Sequence, residues 1–198
     1  MSTNKPSRIA RGLLRALGWT AQAEHPGVNR YVLVVAPHTS NWDFPLGLLA
    51  AWTLGLDPHW MGKHTLFRWP LGGLFRSLGG IPVDRTVAGK RIEQMAQRFA
   101  SSERLILTIT PEGTRGHTDH WKTGFWHIAR AAGVPIVMAC LDYGRKQVVL
   151  GGTFMPSDDI DADFEKIRNF YANRIGKSLA RQGVIRPREV RAEGKAPG

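Results

Sequence analysis

Residues 31–36, reading Tyr-Val-Leu-Val-Val-Ala, form a continuously apolar, β-branched run. A strand with one face in water alternates apolar and polar residues, so this run predicts a strand buried on both faces, in a parallel or mixed sheet covered by helices. Comparable runs recur at 80–83, 104–110, 134–140 and 147–150. Helical patterns lie between and after them at 44–56, 89–101, 124–132 and from about 162 to 180. Asp158, Asp159, Asp161 and Asp163 suit the positive N-terminal end of the last helix, and Arg174, Lys177 and Arg181 its negative end. The alternation reads as α/β: a single domain with a mixed, largely parallel sheet flanked by helices. A chain of 198 residues suits one such core.

Charge narrows the partners. The chain carries 27 Lys and Arg against 16 Asp and Glu, a formal net charge of +11. Such an excess repels itself in a compact fold and points to something anionic: nucleic acid, a phosphorylated metabolite or lipid headgroups. A hydrophobic fraction of 42% excludes disorder throughout the chain. The lone Cys140 excludes an intramolecular disulfide framework and is expected to be buried and inert.

No run approaches the roughly 20 apolar residues of a membrane span, and no secretory leader is expected. The segment from Arg8 to Trp19 is the place where a membrane could be met. At about 100° per residue, Arg8, Arg11 and Arg15 share one face of a helix, with Ile9, Ala10, Leu13, Leu14 and Leu17 opposite. Two readings stay open: a helix lying in a lipid interface, with Arg8, Arg11, Leu13, Leu14, Arg15, Leu17 and Trp19 as contacts, or a first helix docked on the core. The chain divides accordingly into a basic amphipathic segment (1–24), a main domain (25–183) and a basic mobile tail (184–198).

Chemistry is expected where the first apolar strand ends, because open α/β sheets place ligands beyond the carboxyl ends of their strands. His38 and Asp43 sit there, five residues apart. On a continuous helix they would diverge, so contact requires His38 to fold back from a turn toward Asp43 in the first helical turn. Asp43 would then orient the imidazole while its other nitrogen takes a proton from a substrate. No enzymic nucleophile is evident beside the pair, which suggests that the substrate supplies it. A second loop, Thr110-Pro-Glu-Gly-Thr-Arg-Gly116, follows another apolar strand; its glycines permit a tight turn and Arg115 offers a fork for phosphate or carboxylate. A third site, Asp84-Arg85, ends the strand at 80–83. His117, Asp119 and His120 crowd four residues, and metal binding is not expected there. Trp60 to Trp69, with Met61, Leu66 and Phe67, is a candidate surface for binding an apolar chain or facing a membrane.

Taken together, His38 to Asp43, Gly80 to Arg85, Pro111 to Arg115 and Val134 to Val137 resemble, in order and spacing, the four motif blocks of the glycerolipid acyltransferases, the family that includes lysophosphatidic acid acyltransferases. The resemblance covers about residues 30–140. It implies a glycerol-3-phosphate acyltransferase-like fold and acyl transfer in phospholipid biosynthesis, from acyl-CoA or acyl-carrier protein to the hydroxyl of a lysophospholipid, most simply lysophosphatidic acid. His38 would be the general base and Asp43 its orienter; Arg85, Glu112, Gly113, Thr114 and Arg115 would hold the acceptor. No metal, no cofactor and no covalent acyl-enzyme is implied. Departures at Pro37, Pro82, Thr110 and Gly116 bear on the acceptor headgroup, and another lysolipid or a non-phosphorylated lipid remains open. The expected setting is cytoplasmic, peripheral on the inner face of the cell membrane, with no nucleic acid as partner. A basic nucleic-acid-binding module is the alternative of another class, but no recognised binding motif accompanies the charge.

Overall fold

The computed structural model describes residues 6–83 and 88–188. In chain order its elements are α1 (Arg8–Ala16), β1 (Thr20–Ala23), β2 (Arg30–Val35), α2 (Asp43–Leu54), β3 (Pro58–Lys63), α3 (Gly72–Ser77), β4 (Gly80–Val83), α4 (Ala88–Ala100), β5 (Leu105–Ile109), α5 (Gly124–Ala132), β6 (Ile136–Asp142), β7 (Gln147–Phe154) and α6 (Ile160–Tyr171), with 3-10 turns at His64–Phe67 and Leu179–Arg181. The strands form one sheet in the order β1-β7-β6-β2-β5-β3-β4. All neighbours are parallel except the β6–β7 hairpin. The mixed, largely parallel α/β sheet read from the apolar runs is therefore the fold.

Both faces of β2 are covered, which is why its sequence lacks alternation. Val32 and Val34 pack with Ile136, Met138, Cys140, Phe125, Phe164 and Ile167 on the α4–α5–α6 side. Tyr31 and Leu33 pack with Ala51, Leu56, Val137 and Ala139 on the α2 side. Cys140 is buried in this core, and burial pushes its thiol up to about 12, in keeping with an inert residue.

Three sequence expectations change. The last helix stops at Tyr171, not near 180. Its buried hydroxyl donates to the carbonyls of Val34 and Ala139, fixing that end on the sheet, and the chain then leaves to cross the end of β2, where Gly176 passes so close that a Cβ would lie 2.9 Å from Thr39 Oγ1. Asp163 does more than face a helix dipole: fully buried, it accepts from Trp126 Nε1, the Ser157 amide and Lys166. The tail expected from 184 is bound through Arg188, with Val184 donating to Thr118 and the Trp121 carbonyl accepting from Arg188. β1, β3 and α3 carry no apolar run long enough to announce them; β3 opens on Pro58 and contains Gly62.

α1 docks and remains amphipathic at once. Ser7 caps it, its hydroxyl accepting from the Ala10 amide. Leu14, only 1% exposed, and Trp19 pack with Leu46, Ala50, Leu141 and Val148, so these two expected membrane contacts belong to the core. At 100° per residue the inward arc takes Ala10 and Leu14, while Ile9, Leu13 and Leu17 occupy the adjoining arc and stay exposed. Arg8, Arg11 and Arg15 are exposed as well.

Candidate active site

β2 is flanked by β5 and β6, so its carboxyl end lies between the loops that follow both neighbours. From Val35 the chain passes a cis Ala36–Pro37 bond and reaches His38 before α2 begins at Asp43. The fold-back that the spacing demanded is present: His38 Nδ1 lies 3.0 Å from Asp43 Oδ2. A carboxylate only accepts, so the neutral ring carries its proton on Nδ1 and presents a basic Nε2.

Asp43 also organises the turn. Its Oδ2 accepts from the amides of Thr39 and Ser40, each at 2.9 Å, and its Oδ1 accepts from Tyr143 Oη at 2.6 Å. The carboxylate is 4% exposed. Burial favours its neutral form, but the hydrogen bonds from His38, Tyr143 and Ser40 outweigh that and hold the carboxyl below its ordinary range.

Glu112 reaches the same turn from the loop after β5. Its Oε1 accepts from the His38 amide at 3.0 Å, whereas buried Oε2 finds no hydrogen-bond partner among the described residues. Burial raises its carboxyl from 4.5 to about 7, partly offset by the His38 amide and the His38 charge. The folded protein therefore holds a proton that the unfolded chain has released, and stability falls as pH rises from about 4.5 to about 7. That window corresponds to on the order of 3 kcal/mol. Thermal unfolding between pH 5 and 8 checks this: Glu112→Gln, which keeps an acceptor for His38, should flatten the decline. An unchanged slope would mean that Glu112 ionises normally.

The rest of the loop turns outward. Gly113 adopts φ +65°, and a Cβ there would meet the Lys122 side chain that lies over it. Thr114 and Arg115 are exposed beside it. The structure thus joins His38, Asp43 and Glu112 directly, with Gly113 to Arg115 presented on the Glu112 loop. Arg85 lies outside the described residues. His117 Nδ1 meets the Gln182 carbonyl and His120 Nδ1 meets Asp119, so these histidines engage separate local partners.

Tyr143 was not anticipated. Its link to the site is topological: β6 runs parallel to β2, so the residue just beyond its carboxyl end reaches the same edge of the sheet as His38. The segment after α6 was missed too; the Ser178 amide donates to Thr39 Oγ1 and the Ile175 carbonyl accepts from the Tyr143 amide.

An imidazole oriented by a buried carboxylate, beside an outward-facing loop that carries Arg115, at the carboxyl ends of parallel strands of an α/β sheet, is an arrangement able to assist group transfer. The Acyltransferase family profile matches residues 20–142, more than half of the chain, and the chain belongs to that family. It is 31% identical over 136 residues to the 1-acyl-sn-glycerol-3-phosphate acyltransferase of Salmonella typhimurium, covering 66% of this chain and 53% of that one. The Escherichia coli protein of the same name is 30% identical over 126 residues, covering 60% and 49%. The chain thus spans about half the length of the curated relatives it matches. Its fold is similar to the crystal structure of the 1-acyl-sn-glycerophosphate (LPA) acyltransferase PlsC from Thermotoga maritima, with TM-score 0.54, 18% identity, and coverage of 82% of this chain and 72% of that one.

Proposed function

We propose that this protein transfers a fatty acyl group from a thioester donor, acyl-CoA or acyl-carrier protein, to the hydroxyl of a lysophospholipid, with lysophosphatidic acid as the acceptor that the relatives' names favour. The observation that carries the reading is the His38–Asp43 pair, in which Nδ1 is committed to the carboxylate and Nε2 is left to act. Nε2 takes the acceptor's hydroxyl proton as that oxygen attacks the thioester carbonyl. The C–S bond then breaks, and the same proton returns to the departing thiolate. A thioester is already activated, so alignment and one proton transfer carry most of the task. Glu112, facing inward, braces the base through its amide; Gly113, Thr114 and Arg115, with Arg85, receive the acceptor's phosphate.

Lipid access fits the surface. No described helix is long and apolar enough to cross a membrane. Exposed Ile9, Leu13 and Leu17 share α1 with three arginines, and Leu66, Trp69 (93% exposed), Leu71 and Leu74 form a second apolar stretch after β3. Trp60 itself is held inside an aromatic group with Phe44, Phe67 and Phe75. This surface suits peripheral attachment to an anionic membrane; the proposed location is the inner face of the cell membrane, where anionic lipid is concentrated.

The test is a panel of lysolipids in anionic vesicles with labelled acyl-CoA or acyl-carrier protein, products being identified by mass spectrometry. Acylation of a phosphorylated lysolipid supports the reading. Unacylated acceptors throughout, with a DNA or RNA shift at matched salt, would replace it with the nucleic-acid module. Within the panel, Arg115→Ala should raise KM for a phosphorylated acceptor about tenfold or more, the scale of one lost charge-assisted contact, and spare a non-phosphorylated one. Equal kinetics on both would remove Arg115 from the pocket.

A further inference from the structure

Asp43 is more than one half of a pair: its carboxylate serves four donors from two parts of the chain. Oδ2 faces His38 Nδ1 and two amides of its own turn, while Oδ1 faces Tyr143, which is 100 residues away in sequence. At 2.6 Å that last bond is the shortest of the four. A short O–H···O⁻ contact draws charge from the carboxylate and fixes the direction in which it points.

The phenol is held as if its placement matters. Tyr143 opens the turn between β6 and β7, and Asp142, the last residue of β6, ties that turn by accepting from the amides of Gly144 and Arg145 and from the Arg145 guanidinium. The Tyr143 amide is taken by the Ile175 carbonyl. Its ring meets Trp19 edge-on at 4.8 Å between centroids, so the core residue that follows α1 forms one wall of its seat. The backbone is thus anchored on both sides of the residue, and swinging the ring out would break its contacts with Trp19 and Asp43.

We propose that Tyr143 is a positioning residue for the His38 base: its hydroxyl locks Oδ1 of Asp43, aims Oδ2 at His38 Nδ1, and by sharing the carboxylate's charge sets the pH at which the pair becomes competent. This rests on the catalytic reading of His38 given above. The groups facing Asp43 are His38 and Ser40 from its own turn, Tyr143 from the β6–β7 turn, and the nearby Glu112 from the β5 loop.

Two substitutions move the phenol's donor strength in opposite directions while keeping the ring and its Trp19 contact. Tyr143→Phe removes the donor, and 3-fluorotyrosine at the same position strengthens it; Glu112 is untouched in both. Losing the donor leaves more negative charge on Asp43, which stabilises the imidazolium, so the acid limb of the pH profile of kcat/KM should move up in Tyr143→Phe. It should move down in the fluorinated protein. In Tyr143→Phe, kcat should also fall about tenfold with both KM values within about twofold, the signature of lost alignment. An acid limb that stays in place in both proteins overturns the proposal, even if activity drops, because a purely structural tyrosine would behave that way. The NMR resonance of the His38 Nδ1 proton supplies a readout independent of turnover. If it shifts in Tyr143→Phe while His38→Ala keeps full activity, the coupling stands and the catalytic reading falls; if it does not shift, the coupling is absent.

Discussion

Replacing His38 by alanine should lower kcat for acyl transfer about a thousandfold and leave the protein folded. The two halves of this expectation have separate causes. A positioned general base contributes roughly 10²–10⁴ in rate, and nothing else on the described turn presents a free basic nitrogen in its place. The fold tolerates the change because the imidazole is a turn side chain, held chiefly by Asp43. Without it Asp43 Oδ2 still accepts the Thr39 and Ser40 amides, so the buried carboxylate keeps its partners. The loss of stability should stay within about 1 kcal/mol, the net worth of an ordinary hydrogen bond. Initial rates with thioester donor and lysolipid, together with thermal unfolding, measure both. Wild-type turnover in a folded His38→Ala protein would end the assignment.

Asp43→Asn should damage rate and stability together, and this separates the two members of the pair. An amide has one acceptor oxygen where the carboxylate has two, and it must serve His38 Nδ1, two backbone amides and Tyr143. If the amide's NH₂ faces His38, the ring is driven to the tautomer with its proton on Nε2, which cannot act as a base; in a catalytic triad such a change is worth about four orders of magnitude. Here a fall of about 10³ in kcat is expected. At least one buried donor loses its partner, at about 1–3 kcal/mol. The pH dependence should change as well. Because the folded Asp43 carboxyl is held below its ordinary value of 3.8, it contributes stability that is present above that value and lost as the pH falls through the lower, folded one. Asp43→Asn should lack that part of the acid transition. Unfolding curves between pH 2 and 6 for the two proteins would show it, and superimposable acid transitions would mean that Asp43 is not held in its charged form.

Legibility differed between the elements for definite reasons. β2 and β6 were readable because burial on both faces leaves an unbroken apolar run, and β6 is buried along its whole length, its closing Asp142 included. The helix α5 begins and ends where its pattern does, closed by Gly133 in the left-handed conformation that ends helices. Edge strand β1 is only half-buried, so four residues of mixed character gave no signal. α6 was overextended because charges that suit a helix end continue past Tyr171, whereas the tertiary contacts of that tyrosine decide where the helix stops. α1 shows the same limit: periodicity gave its apolar arc but could not say that Leu14 and Trp19 face Leu46 and Val148 while Ile9, Leu13 and Leu17 face out.

What the sequence determined by itself was local: strands with no polar face, a histidine and an aspartate spaced so that only a turn joins them, and a glycine-punctuated loop ending in arginine. These depend on neighbours within a few residues, which a linear pattern records. The tertiary structure alone decided that Glu112 braces His38 from a distance of 74 positions, and that Tyr143 caps Asp43 across 100. Neither pairing has a local signature. Both exist because a parallel sheet brings the carboxyl ends of β2, β5 and β6 to one edge, where buried polar groups from separate loops must satisfy one another.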